Sequence, residues 1–229
     1  MSWNGGVFFM NTANKSRTVK KFDVRKMTVI GILSAISIIM SLTPIGYIPI
    51  NPVMSLTIMH IPVIIGAIVE GPLVGMIIGF VFGMTSLLKA LTSPSVTNFI
   101  SLNPLVSVIP RMLIGLVSYY AYVFISNIMD KMVSKKSDKD IKNSKFKISP
   151  AAITGIIGTL TNTVGYLGMA YILYGQRFAD AYISNNPDAS GFSPAYILFG
   201  LVGANAIPEA ILAAIIVGAV ATVLKTVKK

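Results

Sequence analysis

The 229-residue chain has no cysteine, one histidine and one tryptophan. Without cysteine there is no disulfide, no thiolate nucleophile and no thiolate metal site. A lone histidine also excludes a histidine-rich metal centre, and no metal is expected. Charge is scarce. Only 12% of residues are Asp, Glu, Lys or Arg, against about 25% in an ordinary soluble domain. Acidic residues are scarcest, at 8 against 19 Lys and Arg, giving a net charge of +11.

Hydrophobic residues make up 54% of the chain, and the mean hydropathy is +0.74. That leaves too little polar surface to cover a globule in water, so the chain reads as a bilayer protein. A lipid-spanning backbone must be helical or form a closed barrel. The apolar runs are long and continuous rather than alternating with period two, which favours helices. The excess positive charge lies in the tails and one loop, which argues against a nucleic-acid surface.

The predicted fold is an all-α membrane protein of six transmembrane helices. A basic tail covers 1–26, with Lys15, Arg17, Lys20, Lys21, Arg25 and Lys26. Its apolar piece Gly6–Met10 is too short for a signal-peptide core. Met10 is an alternative start codon to Met1, which N-terminal mass spectrometry distinguishes. The transmembrane domain covers 27–224, and 225–229 is a short C-terminal tail. Helix 1 is expected at 27–43, ending at Pro44. The segment Pro44–Pro52 holds three prolines and a glycine yet is apolar. It suits a lid or an interface-lying loop, with Tyr47, Pro49 and Asn51 as its lid residues. Helix 2 is expected at 54–69, a tight turn at Glu70-Gly71-Pro72, and helix 3 at 72–91. Gly75, Gly79 and Gly83 recur at spacing four on helix 3, which permits close helix approach. A polar loop at 92–103 leads to helix 4 at 104–128, opened by Pro104. The lysine-rich loop 130–149 precedes helix 5 at 150–174. A polar loop is expected at 175–194. Pro208 is expected to divide 195–224 into a lead-in segment, 195–206, and helix 6 at 207–224.

With six spans the N-tail, the 130–149 loop and the C-tail share one side, and all three are basic. The opposite loops carry only Arg177, Asp180 and Asp188. The positive-inside rule therefore predicts cytoplasmic termini.

Polar groups within spans are costly and usually functional. At about 1.5 Å per residue, His60 falls roughly 8 Å into helix 2 and Arg111 roughly 10 Å into helix 4. On the same scale Asn162 and Tyr166 fall roughly 18–24 Å up helix 5. Lys89, Asn98, Asn103, Asn205 and Glu209 complete a polar layer in the outer half. The inner half carries little beyond Ser, Thr and Gly. A channel or proton relay needs polar groups through its full depth, whereas an outward-opening pocket with a dry floor does not. Each member also has a structural reading. Arg111 and Glu209 either pair with each other or hold ligand. Lys89 either contacts ligand or snorkels to the headgroups. His60 is either a bonded core residue or a contact. Asn162 and Asn205 either stitch helices together or face the pocket. Two cations facing one carboxylate make the pocket lean cationic, which suits an anionic small molecule. On helix 1, Gly31 and Ala35 are four apart and leave a shallow groove. With Ser34 they are candidates for docking a partner helix.

Together these pieces resemble the substrate-binding S-components of energy-coupling-factor (ECF) vitamin transporters. The stretch Pro49–Pro72 carries most of the resemblance. Asn103–Arg111, the glycine-rich helix 3 and Gly31-x-x-x-Ala35 add to it. The family's Ala-x-x-x-Ala has glycine at its first position here, which keeps the groove. The resemblance covers roughly 27–224. It implies a plasma-membrane protein that binds a vitamin tightly from outside. It also implies docking through helix 1 on a transmembrane coupling subunit with two ATPases. No Gly-x-x-x-x-Gly-Lys-Ser/Thr phosphate loop occurs in this chain, so ATP is used by partner subunits and no cofactor is expected here. The region from Tyr47 to Pro72 and the Pro110-Arg111 step look most like pantothenate S-components. Riboflavin and folate binders have similar helical frameworks. An autonomous secondary transporter or channel is disfavoured by the apolar inner half. An enzyme using Glu209, His60 and Lys89 has no spacing signature to support it.

Overall fold

The computed structural model describes residues 23–43, 46–51, 54–92, 98–134, 149–185, 187–189 and 191–227. The elements are α1 (Val24–Leu42), β1 (Tyr47–Asn51), β2 (Met54–Thr57), α2 (Ile61–Glu70), α3 (Pro72–Thr92), α4 (Asn98–Ser101), α5 (Pro104–Ser134), α6 (Pro150–Asn185) and α7 (Pro194–Val227), with a 3-10 turn at Pro187–Ala189. Most of the tails and of the lysine-rich loop lie outside the described residues.

Four helical stretches are long and apolar enough to cross a membrane: Val24–Leu42, Pro72–Thr92, Pro104–Met132 and Pro150–Arg177. Ile61–Glu70 and Ala206–Ala221 are shorter apolar helices. The helices alternate in direction. Arg25 Nε meets Glu70 Oε1 at 3.0 Å, so α1 begins where α2 ends. Lys89 Nζ donates to the Ser41 carbonyl at 2.9 Å, so α3 ends where α1 ends. The end bearing Arg25, Lys26 and Lys131 is called here the basic end. The other end holds Phe99, Tyr166, Tyr174 and Tyr182 and is called the aromatic end.

The expected glycine seam forms. A Cβ on Gly75 would lie 2.6 Å from the Ala67 Cβ and 2.9 Å from the Gly115 Cα. One on Gly83 would lie 2.7 Å from the Val108 Cα, and Gly79 abuts the Arg111 carbonyl. Thus α3 lies against α5 at backbone contact along its length. All ten residues of α2 are buried. It packs on α1, α3, α5, α6 and α7, and the main apolar core gathers around it.

Four expectations need correction. Helix 2 does not begin at 54. Tyr47 pairs with Thr57 and Asn51 with Met54, antiparallel, so the Pro-rich segment and the first part of that apolar run form a hairpin. Pro49 is tolerated because each strand of a two-stranded sheet has a free edge. The 175–194 loop is helical to Asn185. Tyr174 leaves helical geometry (φ −138°, ψ 18°) and kinks α6 there. The helix resumes because Ala179, Tyr182 and Ile183, at helical spacing, pack into the aromatic-end cluster. Pro208 lies inside a continuous α7 rather than dividing it, as transmembrane helices allow. Helix 4 also runs on, to Ser134.

Candidate functional site

Arg111 owes its position to its neighbour. Pro110 lies inside α5 and has no N–H to give the carbonyl four residues back. That carbonyl belongs to Val106, and Arg111 Nη1 donates to it at 2.8 Å. The Pro-Arg step thus replaces a missing helix bond with a charge-assisted one. The guanidinium then lies over Tyr166, 4.3 Å from the ring centroid, and 5.6 Å from that of Phe82. A buried cation over two aromatic rings gains cation–π attraction from both.

Around this group the aromatic end is tied by side chains. Ser101 Oγ and Tyr166 Oη are 2.7 Å apart. Asn103 Nδ2 donates to Tyr174 Oη at 3.1 Å, and its Oδ1 accepts from the Leu105 N–H as α5 begins. Ser107 donates to the Ser101 carbonyl. Phe99 meets Tyr174 edge-on at 5.5 Å, and Arg177 lies 4.5 Å over Phe99.

Glu209 has a different partner from the one the sequence leaves open. Its Oε1 accepts from the Thr57 N–H at 2.6 Å and from the Thr57 hydroxyl at 2.8 Å. An Arg111–Glu209 ion pair is not among the contacts of the described residues. Glu209 instead fastens the hairpin to α7.

His60 lies at the start of α2 rather than within a longer helix, and is fully buried. Its Nε2 is 2.9 Å from Thr159 Oγ1. Ser37 ties α1 to the adjacent Met59 carbonyl at 3.3 Å. Asn162, one turn from Thr159, is buried. Lys89 hydrogen-bonds a carbonyl in the last turn of α1. The structure therefore brings Arg111 and Tyr166 into direct contact, with Asn162 one turn from Tyr166 along α6. Glu209, His60 and Lys89 bond Thr57, Thr159 and the Ser41 carbonyl respectively. The side chains of Tyr47, Pro49, Asn51, Asn98 and Asn205 lie outside the described residues.

Gly31 and Ala35 are exposed on α1, and a Cβ on Gly31 would meet nothing within 4 Å. Ser34, grouped with them on sequence, is corrected: it is buried and faces the bundle. Thr57, Thr159, Ser101, Tyr174 and Phe82 were not legible as site residues. Only the spacing Thr159, Asn162, Tyr166 (i, i+3, i+7) signals that these three share a helix face.

The bundle is thus sealed by backbone contact along α3 and tied by side chains at its aromatic end. The chain belongs to the ECF transporter substrate-specific component family, whose model matches residues 25–221. It is a transport-family membrane protein and not an enzyme. Among curated proteins it is 25% identical over 225 residues to the pantothenic acid transporter PanT of Lactococcus lactis subsp. cremoris (strain MG1363), covering 90% of this chain and 96% of that one. It is 30% identical over 195 residues to the pantothenate transporter PanT of Leuconostoc mesenteroides subsp. mesenteroides (strain ATCC 8293), covering 83% and 87%. Its fold is similar to the solved structure of ThiT from Listeria monocytogenes, with a TM-score of 0.57, 18% identity, and coverage of 89% and 94%.

Proposed function

We propose that this chain is the high-affinity binding subunit of an ECF-type, ATP-driven vitamin uptake transporter, and that its vitamin is pantothenate. The observation that carries the substrate is the pair of pantothenate-transporter relatives, each matched over most of both chains. Arg111 supports it. A buried guanidinium held over Tyr166 suits the carboxylate that pantothenate bears. The site includes Arg111, Tyr166, Asn162 and Asn103, with His60, Lys89, Asn98, Asn205 and Glu209 as the other members of the polar layer. The hairpin of Tyr47, Pro49 and Asn51 is its lid.

In this reading the chain spans the membrane six times. The hairpin plus α2 form the second span and α7 the sixth. The basic end and both termini face the cytoplasm, so the aromatic end opens outward. A transmembrane coupling subunit with two ATPases docks on the Gly31 and Ala35 face of α1, where small residues admit another helix.

Isothermal titration of the purified chain against pantothenate, riboflavin and folate tests the assignment. Tight binding of pantothenate alone is the expected result. Preferential binding of another vitamin transfers the assignment to it, and no binding to any of the three rejects the reading.

A further inference from the structure

His60 is the chain's one histidine, and its surroundings fix its tautomer. The Thr159 hydroxyl has one proton, which the Gly155 carbonyl takes at 2.9 Å. The hydroxyl oxygen can then only accept from His60, 2.9 Å away, so Nε2 carries the ring proton. In a neutral imidazole Nδ1 is then a bare acceptor. That atom is buried and has no donor among the described residues.

Asn162 lies three residues from Thr159, on the same face of α6. It too is buried, and its Oδ1 has no donor among the described residues. Buried polar atoms are hydrogen-bonded in the great majority of cases. His60 at the start of α2 and Asn162 one turn from its Thr159 partner on α6 are thus two buried acceptors without donors among the described residues, set to take donors from a guest. Tyr166, the ring beneath Arg111, lies four residues beyond Asn162 on that face, about 6 Å nearer the aromatic end.

We infer that His60 Nδ1 and Asn162 Oδ1 form an acceptor floor that reads hydroxyl or amide N–H donors of the guest while Arg111 holds its carboxylate. The inference rests on the proposed capture of a carboxylate vitamin and adds its orientation. The anionic end faces out and the donor-bearing end faces in. It also explains selectivity. A carboxylate lacking donors at its far end would leave both acceptors unsatisfied, as would an analogue presenting only acceptors there.

The single histidine makes the test direct. The full chain is labelled with 15N-histidine, purified through a histidine-free tag, and examined by NMR with and without saturating pantothenate. In the free chain Nε2 is expected to be protonated and Nδ1 bare. Pantothenate is expected to move the Nδ1 resonance upfield and leave Nε2 protonated. Asn162→Leu is expected to weaken pantothenate binding about tenfold or more. A protonated Nδ1 in the free chain overturns the inference. So does an unmoved Nδ1 with pantothenate bound, or wild-type affinity in a folded Asn162→Leu chain. If the wild-type chain gives no binding heat with pantothenate, the proposed function fails instead, and the free-chain tautomer still decides whether His60 is an acceptor.

Discussion

α2 and the hairpin before it are neighbours in sequence and are held in opposite ways. Every residue of α2 is buried, and its flank is sealed where Ala67 meets Gly75 and Gly75 meets Gly115. Nothing in that region can move without separating backbones. The hairpin is fastened to α7 by one carboxylate gripping one threonine. α2 and the α3–α5 seam are thus fixed by shape. The aromatic side is held by hydrogen bonds and ring contacts, each worth roughly 0.5–1.5 kcal/mol net. Bonds of that size can be exchanged for bonds to a ligand, whereas a backbone seam cannot. A binder needs both: a closed floor, and an upper part that opens.

Four substitutions would break or sharpen this contrast. Gly79→Leu forces a side chain into the Arg111 backbone. It should cost about 3 kcal/mol or more, read as a large fall in the thermal unfolding temperature together with lost binding. An unchanged unfolding temperature would mean that the seam is not the rigid half. Arg111→Ala should weaken pantothenate binding by about 2–5 kcal/mol in calorimetry. If affinity is unchanged, Arg111 serves only to satisfy the Val106 carbonyl. Glu209→Gln replaces a charge-assisted latch with a neutral one and should cost about 1 kcal/mol. Stopped-flow dissociation should then be about fivefold faster, and a wild-type off-rate would separate the latch from ligand retention. Gly31→Leu should have the smallest effect on binding, leaving affinity unchanged while abolishing uptake by the assembled transporter. Equal loss of both would place that face in the chain's own packing.

Much of the framework was legible. The spacing of Gly75, Gly79 and Gly83 announced a face of close approach on α3, though not that α5 fills it, and long apolar runs located α1, α3, α5 and the first part of α6. Hydropathy misread the run from Met54 onward as a helix, because a strand and a helix of the same apolar residues look alike when no periodicity intervenes. Thr57, which pairs with Tyr47, also takes a tertiary latch from Glu209 that no local pattern encodes. Arg111 and Tyr166 were visible as polar groups in apolar runs. That Pro110 frees the carbonyl Arg111 binds follows from the sequence once α5 is known to continue through it. The partner of Lys89, the Ser41 carbonyl, is a backbone atom, which sequence patterns do not mark. Ser34 was placed on the open face of α1 although it is buried, because three residues past Gly31 it lies at the margin of that face, on the side turned to the bundle.

The central claim is that this chain captures its ligand but cannot carry it across alone. Uptake of radiolabelled pantothenate into proteoliposomes containing only this chain tests it most directly. The account predicts pantothenate bound to the protein with no accumulation in the lumen, and accumulation once the coupling subunit, the ATPases and ATP are supplied. Luminal accumulation by the chain alone would contradict it.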